Sequence, residues 1–114
     1  MRILLLTLVC LLLAACDFYK EANLKFAEQH FISAISHIEL HKLRNGEYPE
    51  KLSSLEYLGD WDKIWIQAVD YRKTNGGYDL FVVRGHATSA KVSFPKSFKR
   101  GLGLINSNVT WQDG

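Results

Sequence analysis

The chain has 114 residues, a length that corresponds to about one domain with one modest hydrophobic core. Its 14 Lys and Arg residues nearly balance its 12 Asp and Glu residues, which gives a formal net charge of +2. No long basic run is present, so the charge argues against nucleic acid as the main partner. Three Trp, five Tyr and six Phe residues supply large apolar side chains for a core.

The N-terminal stretch has the layout of an export signal. Arg2 gives a short positive segment, residues 3–13 are almost all apolar, and the tetrapeptide LAAC closes the run at Cys16. The run is shorter than the roughly 20 apolar residues of a membrane-spanning helix, so a permanent span is not expected. The tetrapeptide resembles the lipobox of bacterial lipoproteins, which implies cleavage before Cys16 and acylation of its thiol and new amino group. The alternative is an ordinary secretory signal that is cut near Ala15.

Further expectations follow from this resemblance. Residues 16–114 would form one periplasmic domain held on a membrane surface by its acyl chains. Asp17 resembles the inner-membrane retention signal that many Gram-negative lipoproteins carry after the lipidated cysteine, so we expect the inner membrane. Cys10 lies in the signal and Cys16 would carry lipid, so no thiol remains for a disulfide bond and the domain must rely on its apolar core.

Residues 18–43 predict one long amphipathic helix, because they contain no Pro or Gly and their apolar residues recur at spacings of three and four. Phe26 and Ile32 fall outside the predicted buried stripe, so either the buried face of the helix is wide or part of it meets a protein partner, and we take both residues as candidate partner contacts. Asn45-Gly46 predicts the end of the helix, since this pair readily adopts the left-handed conformation found there. The predicted buried stripe consists of Leu24, Ala27, Phe31, Ala34, Ile35 and Ile38.

The loop that follows is predicted to contain a short helical turn. Tyr48-Pro49 restarts the chain, because proline is tolerated at the first position of a helix. The spacing of Leu52, Leu55 and Leu58 then points all three leucines to the core.

Beyond Gly59 the pattern changes to a period of two. Residues 64–71 predict a strand, Asn75-Gly76-Gly77 predicts a turn and residues 78–84 predict the return strand, so residues 64–84 are interpreted as a β-hairpin. A third strand is predicted at residues 90–94. The remaining residues fit either one more short edge strand or an irregular tail.

Residues 38–55 read IELHKLRNGEYPEKLSSL. Their aliphatic helix end, Asn-Gly-x-Tyr-Pro pattern and two leucines a turn apart resemble the helix-to-loop segment of type II secretion pseudopilins and type IV pilin-like proteins. Together with the hairpin, the resemblance covers residues 24–84. It implies an α+β fold in which a long N-terminal helix packs on a small antiparallel β-sheet. For the whole chain we expect a signal at 1–15 and a single domain at 16–114, with an anchor and helix at 16–45, a loop with a short helix at 46–60 and the sheet at 61–114.

The chain also departs from that family. Pilins and pseudopilins begin with a prepilin-peptidase site and a long apolar helix half that packs into the filament, and this sequence has neither. Major pseudopilins also look as though they bind calcium through a loop of carboxylates near the C-terminus. This chain offers only Asp60, Asp62 and the distant Asp113, which are too few oxygen ligands for such a site. The resemblance therefore supports the fold more than it supports filament assembly.

Candidate chemistry is sparse. His37 and His41 lie one helical turn apart and His30 lies a heptad before His37, which is metal-ligand spacing, but exposed histidines beside the core stripe are the simpler interpretation. The carboxylate pairs Asp60/Asp62 and Glu47/Glu50 have no histidine beside them in the sequence, and we expect no apolar pocket there that would separate their pKa values. No serine stands in a nucleophile-elbow pattern, and no phosphate loop or dinucleotide fingerprint is present. We therefore expect no enzymatic activity, no cofactor, no metal and no small-molecule substrate.

A small basic and aromatic cluster lies near the C-terminus. It consists of Lys96, Lys99 and Arg100 with Phe94 and Phe98. It fits contact with anionic lipid near the anchor. It equally fits a cationic edge loop that discourages the addition of strands.

The expected function is that of a lipid-anchored envelope protein that binds other proteins as a pseudopilin-like accessory of a secretion or pilus-type apparatus. Its partner surface would combine Phe26 and Ile32 with the loop from Tyr48 to Tyr57. The alternative is an immunity or inhibitor lipoprotein that neutralises a periplasmic toxin or hydrolase, with Tyr57, Trp61 and Trp65 as the binding hot spot. A third possibility, an envelope metal binder, rests on the three histidines alone.

Overall fold

The computed structural model describes residues 1–83 and 92–112, without the side chains of Ala14, residues 16–21 and Asn23. It is an α+β fold made of one long helix and two small sheets. The order of elements is α1 (Arg2–Asn45), a 3-10 turn (Leu52–Ser54), α2 (Asp62–Ala68), β1 (Val69–Thr74), β2 (Gly77–Val82), β3 (Ser93–Pro95), α3 (Lys96–Lys99), β4 (Leu104–Asn106) and β5 (Thr110–Gln112).

Helix α1 determines the shape of the molecule. Its 44 residues correspond to about 66 Å at 1.5 Å per residue, close to the longest dimension of 67 Å. Side chains 3–13 are exposed, and among the helix side chains that the structure describes, the buried ones begin at Ala27. Among the residues with described side chains, no helix is long and apolar enough to cross a membrane.

The buried face of α1 follows the predicted stripe from Ala27 to Ile38, whose five apolar members are all buried. Leu24 is the exception. It is 46% exposed because the head begins one turn later, at Ala27.

Helix α1 ends where the sequence predicts. Gly46 has a φ of 80° in the left-handed region, and its N–H donates to the Lys42 carbonyl at 2.8 Å. Lys42 and Arg44 lie in the last turn, where positive charge is favourable to the helix dipole.

The strand predicted at residues 64–71 is wrong over its first five residues, which belong to helix α2. The Asp62 side chain accepts hydrogen bonds from the Gly59 N–H and from Trp65 Nε1 at 2.6 Å, and these bonds stabilise a helical turn. Trp65 and Val69 are both buried, and they are four residues apart in the sequence, which is about one helical turn. A helix therefore points both side chains to the core, as an alternating strand would. In so short a segment, a period of two does not exclude a helix.

The hairpin is formed by β1 and β2, which pair antiparallel from Val69↔Val82 to Thr74↔Gly77. The predicted turn is confirmed, with Gly76 at a φ of 83°. The predicted end of the return strand at Arg84 lies outside the described residues.

The prediction of one antiparallel sheet is wrong beyond this hairpin. Strand β4 pairs parallel with β2, so the main sheet is mixed, in the order β1-β2-β4. Strand β3 begins at Ser93 and pairs parallel with β5 in a second sheet, with Phe94 opposite Trp111. The predicted start of the third strand at Ala90 lies outside the described residues. Three-residue strands carry too little periodicity to show which neighbour they will pair with.

Candidate functional site

The expected lipidation position lies in the projecting half of α1. Cys16 and Asp17 belong to the helix, and their side chains are outside the described set. Position 16 precedes Ala34 by 18 residues, which at 3.6 residues per turn is a whole number of turns. Ala34 is buried against the head, so the two positions lie on the same side of the helix.

Exposed apolar residues occur at several points along another side of α1. Phe26 and Arg44 are also 18 residues apart, so they too share one side of the helix. Leu40 and Tyr57 line one shallow depression beside Arg44. Trp61 directly precedes Asp62, whose carboxylate lies 3.8 Å from His37 Nε2 on this side of α1. We name Phe26, Leu40, Tyr57 and Trp61 the helix-flank surface.

Three members of the helix-flank surface are more than half exposed: Phe26 at 62%, Tyr57 at 67% and Trp61 at 83%. Large aromatic side chains at that exposure are the type of residue that dominates binding energy in protein interfaces.

Tyr57 has an unusual backbone for a bulky residue, with a φ of 61°. A left-handed conformation at such a position costs on the order of 1 kcal/mol and is a recurrent feature of functional sites. The Arg44 guanidinium stacks on the Tyr57 ring at 4.9 Å, and its Nη2 donates to Tyr57 Oη at 3.3 Å. These contacts hold the ring at the surface in a fixed place.

Three residues predicted to contact a partner do not lie on this surface. Trp65 is only 3% exposed, because α2 turns its ring toward α1, where it packs on His37 at 5.2 Å. Tyr48 is buried, because it fills the space between α1 and the main sheet. Ile32 packs partly against the core, and it lies about 120° around α1 from Phe26. The prediction is therefore wrong for Trp65 and Tyr48 as exposed contacts, and the structure does not place Ile32 beside Phe26.

The histidine stripe has structural contacts. His37 Nδ1 bonds the Ser33 carbonyl at 2.9 Å, which makes Nδ1 the protonated nitrogen, while Nε2 faces Asp62. The hydrogen bond from Trp65 Nε1, followed by that from the Gly59 N–H, lowers the pKa of Asp62. Within residues 1–83 and 92–112, no group of three His, Cys, Asp or Glu side chains is arranged to hold a metal ion.

Glu39 organises a polar cluster between α1 and the main sheet. Its carboxylate accepts hydrogen bonds from Tyr48 Oη at 3.1 Å, from Tyr78 Oη at 2.8 Å and from the Gly103 N–H at 3.3 Å. A Cβ at Gly103 would overlap the Tyr48 ring, so only glycine allows this approach. We name Glu39, Tyr48, Tyr78 and Gly103 the Glu39 cluster.

The phenols around this cluster are held in their protonated form. Burial, and then the charge of Glu39, raise the pKa of Tyr48 to about 12. Burial, and then the hydrogen bond to Glu39, raise the pKa of Tyr78 well above its usual range. Burial, and then the charge of Glu50, raise the pKa of Tyr71 to about 12. No sequence pattern indicates this cluster, because its members are up to 64 residues apart.

A second carboxylate secures β4. Asp79 is almost fully buried, accepts from Arg72 Nη2 at 2.7 Å and accepts from Asn106 Nδ2 at 2.9 Å. The hydrogen bond from Arg72 lowers the pKa of Asp79. An aspartate between two apolar strand residues, Tyr78 and Leu80, is the one sequence signal that could have indicated this structural role.

The basic and aromatic cluster predicted near the C-terminus is brought together by α3 and the second sheet. Lys99 Nζ lies 5.5 Å from the centre of the Trp111 ring, and Phe98 stacks on the same ring at 6.3 Å. Lys96, Lys99, Arg100 and Trp111 surround one open depression, which we name the α3 surface. Its aromatic base continues inward to Phe31 of α1, which contacts Phe94 at 5.4 Å.

No family model, curated protein or solved structure matches this chain. The resemblances to lipoproteins and to pilin-like proteins therefore rest on the residues quoted above.

Proposed function

We propose that the protein is a non-enzymatic, lipid-anchored envelope protein that binds other proteins, as a pseudopilin-like accessory of a secretion or pilus-type apparatus. The lipid is attached at Cys16, the head faces the periplasm, and Asp17 directs the chain to the inner membrane. The helix-flank surface is the partner-binding site.

The observation that carries this proposal is the exposure of Phe26, Tyr57 and Trp61 beside a long helix. Phe26 to Arg44 extends about 27 Å along α1, long enough to lie against another helix over five turns. Burying large aromatic side chains is a main source of binding energy in protein interfaces. The contacts of Arg44 with Tyr57 support the same conclusion, because they keep this ring in place before a partner arrives.

Affinity capture after crosslinking in the native envelope tests the proposal. Wild-type protein should retain pilin-like or secretion subunits, and Trp61→Ala should lower their recovery, since loss of a hot-spot tryptophan weakens binding by about 30-fold or more. Ile105→Ala is the matched control, because Ile105 is an exposed apolar residue on β4, in the main sheet. Cys16→Ser, which removes the acylation site, should reduce capture as well.

Equal recovery by wild-type protein and Trp61→Ala would exclude the helix-flank surface as the binding site. Recovery of one toxin or hydrolase, by both the anchored and the Cys16→Ser forms, would instead support the immunity or inhibitor function. Trp61 is the observation that keeps this second function open, because one highly exposed tryptophan also suits a single tight target.

A further inference from the structure

We propose that the α3 surface docks on the anionic headgroups of the membrane that carries the anchor, so that the head lies against the bilayer. This inference rests on the membrane attachment proposed above, and it adds an orientation and a lipid class to it.

The charge distribution of the head supports an anionic ligand at this place. Residues 92–112 contain three cations, Lys96, Lys99 and Arg100, and no carboxylate. Residues 39–83 contain eight carboxylates and six cations. Of the two described segments, residues 92–112 therefore carry a net positive charge, on α3 and the second sheet, while residues 39–83 carry a small negative excess.

The chemistry of the α3 surface fits a lipid interface. Lysine and arginine next to half-buried Trp111 and Phe98 combine cationic tips with amphipathic rings, which is the composition that anionic membrane surfaces favour. The stacked rings of Phe94, Phe98 and Trp111 give these cations a rigid base.

The position along α1 places this surface at the end of the head that is nearer to the anchor. Phe31 contacts the second sheet, whereas Glu39, about 12 Å farther along the axis, contacts the main sheet. Position 16 lies about 22 Å before Phe31 and on the same side of α1 as the head. When the helix is inclined toward the bilayer, the lipid on Cys16 and the α3 surface can therefore both reach the membrane surface.

An upright helix would leave the α3 surface beyond the range of the membrane charge, because the Debye length is only about 8 Å at physiological salt. The inclined arrangement also accounts for Leu24. This exposed leucine lies between the anchor and the head on the buried stripe's side of α1, where it would meet the bilayer surface.

Hydrogen exchange of the full-length protein in lipid nanodiscs tests the inference. We expect the amides of residues 96–100 to exchange more slowly in discs that contain phosphatidylglycerol than in discs of phosphatidylcholine alone, and high salt should remove the difference. Each cation at an anionic surface changes the docking equilibrium about five-fold, so the double variant Lys96→Gln/Arg100→Gln should weaken docking by about 25-fold. Lys51→Gln/Lys63→Gln is the matched control, because it removes two exposed lysines from outside the α3 surface and should keep the protection.

Equal exchange of residues 96–100 in both kinds of disc would overturn the inference, as would equal protection in the two double variants. Flotation with vesicles separates this result from failure of the anchor. A chain that floats but shows no phosphatidylglycerol-dependent protection contradicts docking alone, and a chain that does not float contradicts both proposals.

Discussion

The head is joined to α1 in two different ways. At the end of the head nearer to the N-terminus of α1, Phe31 packs on Phe94 and Trp111, and the contact is aromatic. About two turns later, Glu39 accepts hydrogen bonds from Tyr48, Tyr78 and Gly103, and the contact is polar. Aromatic packing tolerates changes of pH, whereas a shared carboxylate requires its phenol donors to stay protonated, so the two regions should fail under different conditions.

The largest effect is expected from Phe31→Ala. The ring is fully buried, and removing such a side chain typically lowers the free energy of unfolding by about 3–5 kcal/mol through lost contacts and a cavity. Urea unfolding followed by circular dichroism measures the change. Phe31→Leu keeps most of the volume and stays measurable if the alanine variant does not fold, and Phe26→Ala on the exposed side should change the stability by less than about 0.5 kcal/mol.

Glu39→Ala should have the second-largest effect and lower the free energy of unfolding by about 3 kcal/mol. It leaves two phenol hydroxyls and the Gly103 N–H without their acceptor, and hydrogen bonds to a charged group are stronger than neutral ones. Glu39→Gln keeps an acceptor and should lose less. If Glu39→Ala were no worse than the same change at the exposed Glu56, the polar region would not stabilise the head.

Alkaline pH should weaken the polar region selectively. Because folding raises the pKa of Tyr48 and Tyr71 to about 12, their contribution is complete below pH 10 and is lost as the pH rises from 10 through 12. Urea unfolding at a series of pH values from 9 upward should therefore show falling stability. Tyr48→Phe should have a shallower decline than wild type, and Phe31→Leu should have the same decline, which assigns the effect to the polar region.

The smallest effect concerns the end of α1, which directs Tyr48 into the Glu39 cluster. Gly46→Ala should destabilise the protein by about 1 kcal/mol, because alanine is strained at a φ of 80°. Gly59→Ala is the matched control, since a Cβ there would lie 3.5 Å from Asp62 Oδ2, an ordinary contact, and Gly59 has no left-handed backbone. Thermal unfolding of both variants measures the difference, and equal midpoints would mean that the cap does not matter.

Local signals in the sequence predicted the elements that depend on neighbours in the chain. The sequence predicted the end of α1 at Asn45, its buried stripe and the turn at Gly76. Helix periodicity, a left-handed cap and a hairpin turn each depend on residues only a few positions apart. The segment around Trp65 was predicted wrongly as a strand. Seven residues with a central tryptophan suit either structure, and packing against α1 decided for the helix.

The candidate site divides in the same way. The sequence identified Cys16 as the candidate anchor and Phe26 as an apolar residue off the stripe, and it grouped Trp61 with Trp65 and Tyr48 with Tyr57. The structure separated these pairs, since one member of each is buried and the other is exposed. Whether such an aromatic residue is exposed depends on contacts across the whole fold, so a local sequence pattern does not predict its exposure.

The sequence by itself therefore determined a long capped helix, a hairpin, and the charge and apolar content of each segment. Tertiary structure alone decided that β4 pairs parallel with β2, that Glu39 joins Tyr48 to Tyr78 and Gly103, and that the second sheet packs on Phe31 of α1. Such contacts join residues that are tens of positions apart. Their free energy depends on the three-dimensional packing of all elements at once, so the periodicity of one segment cannot predict these contacts.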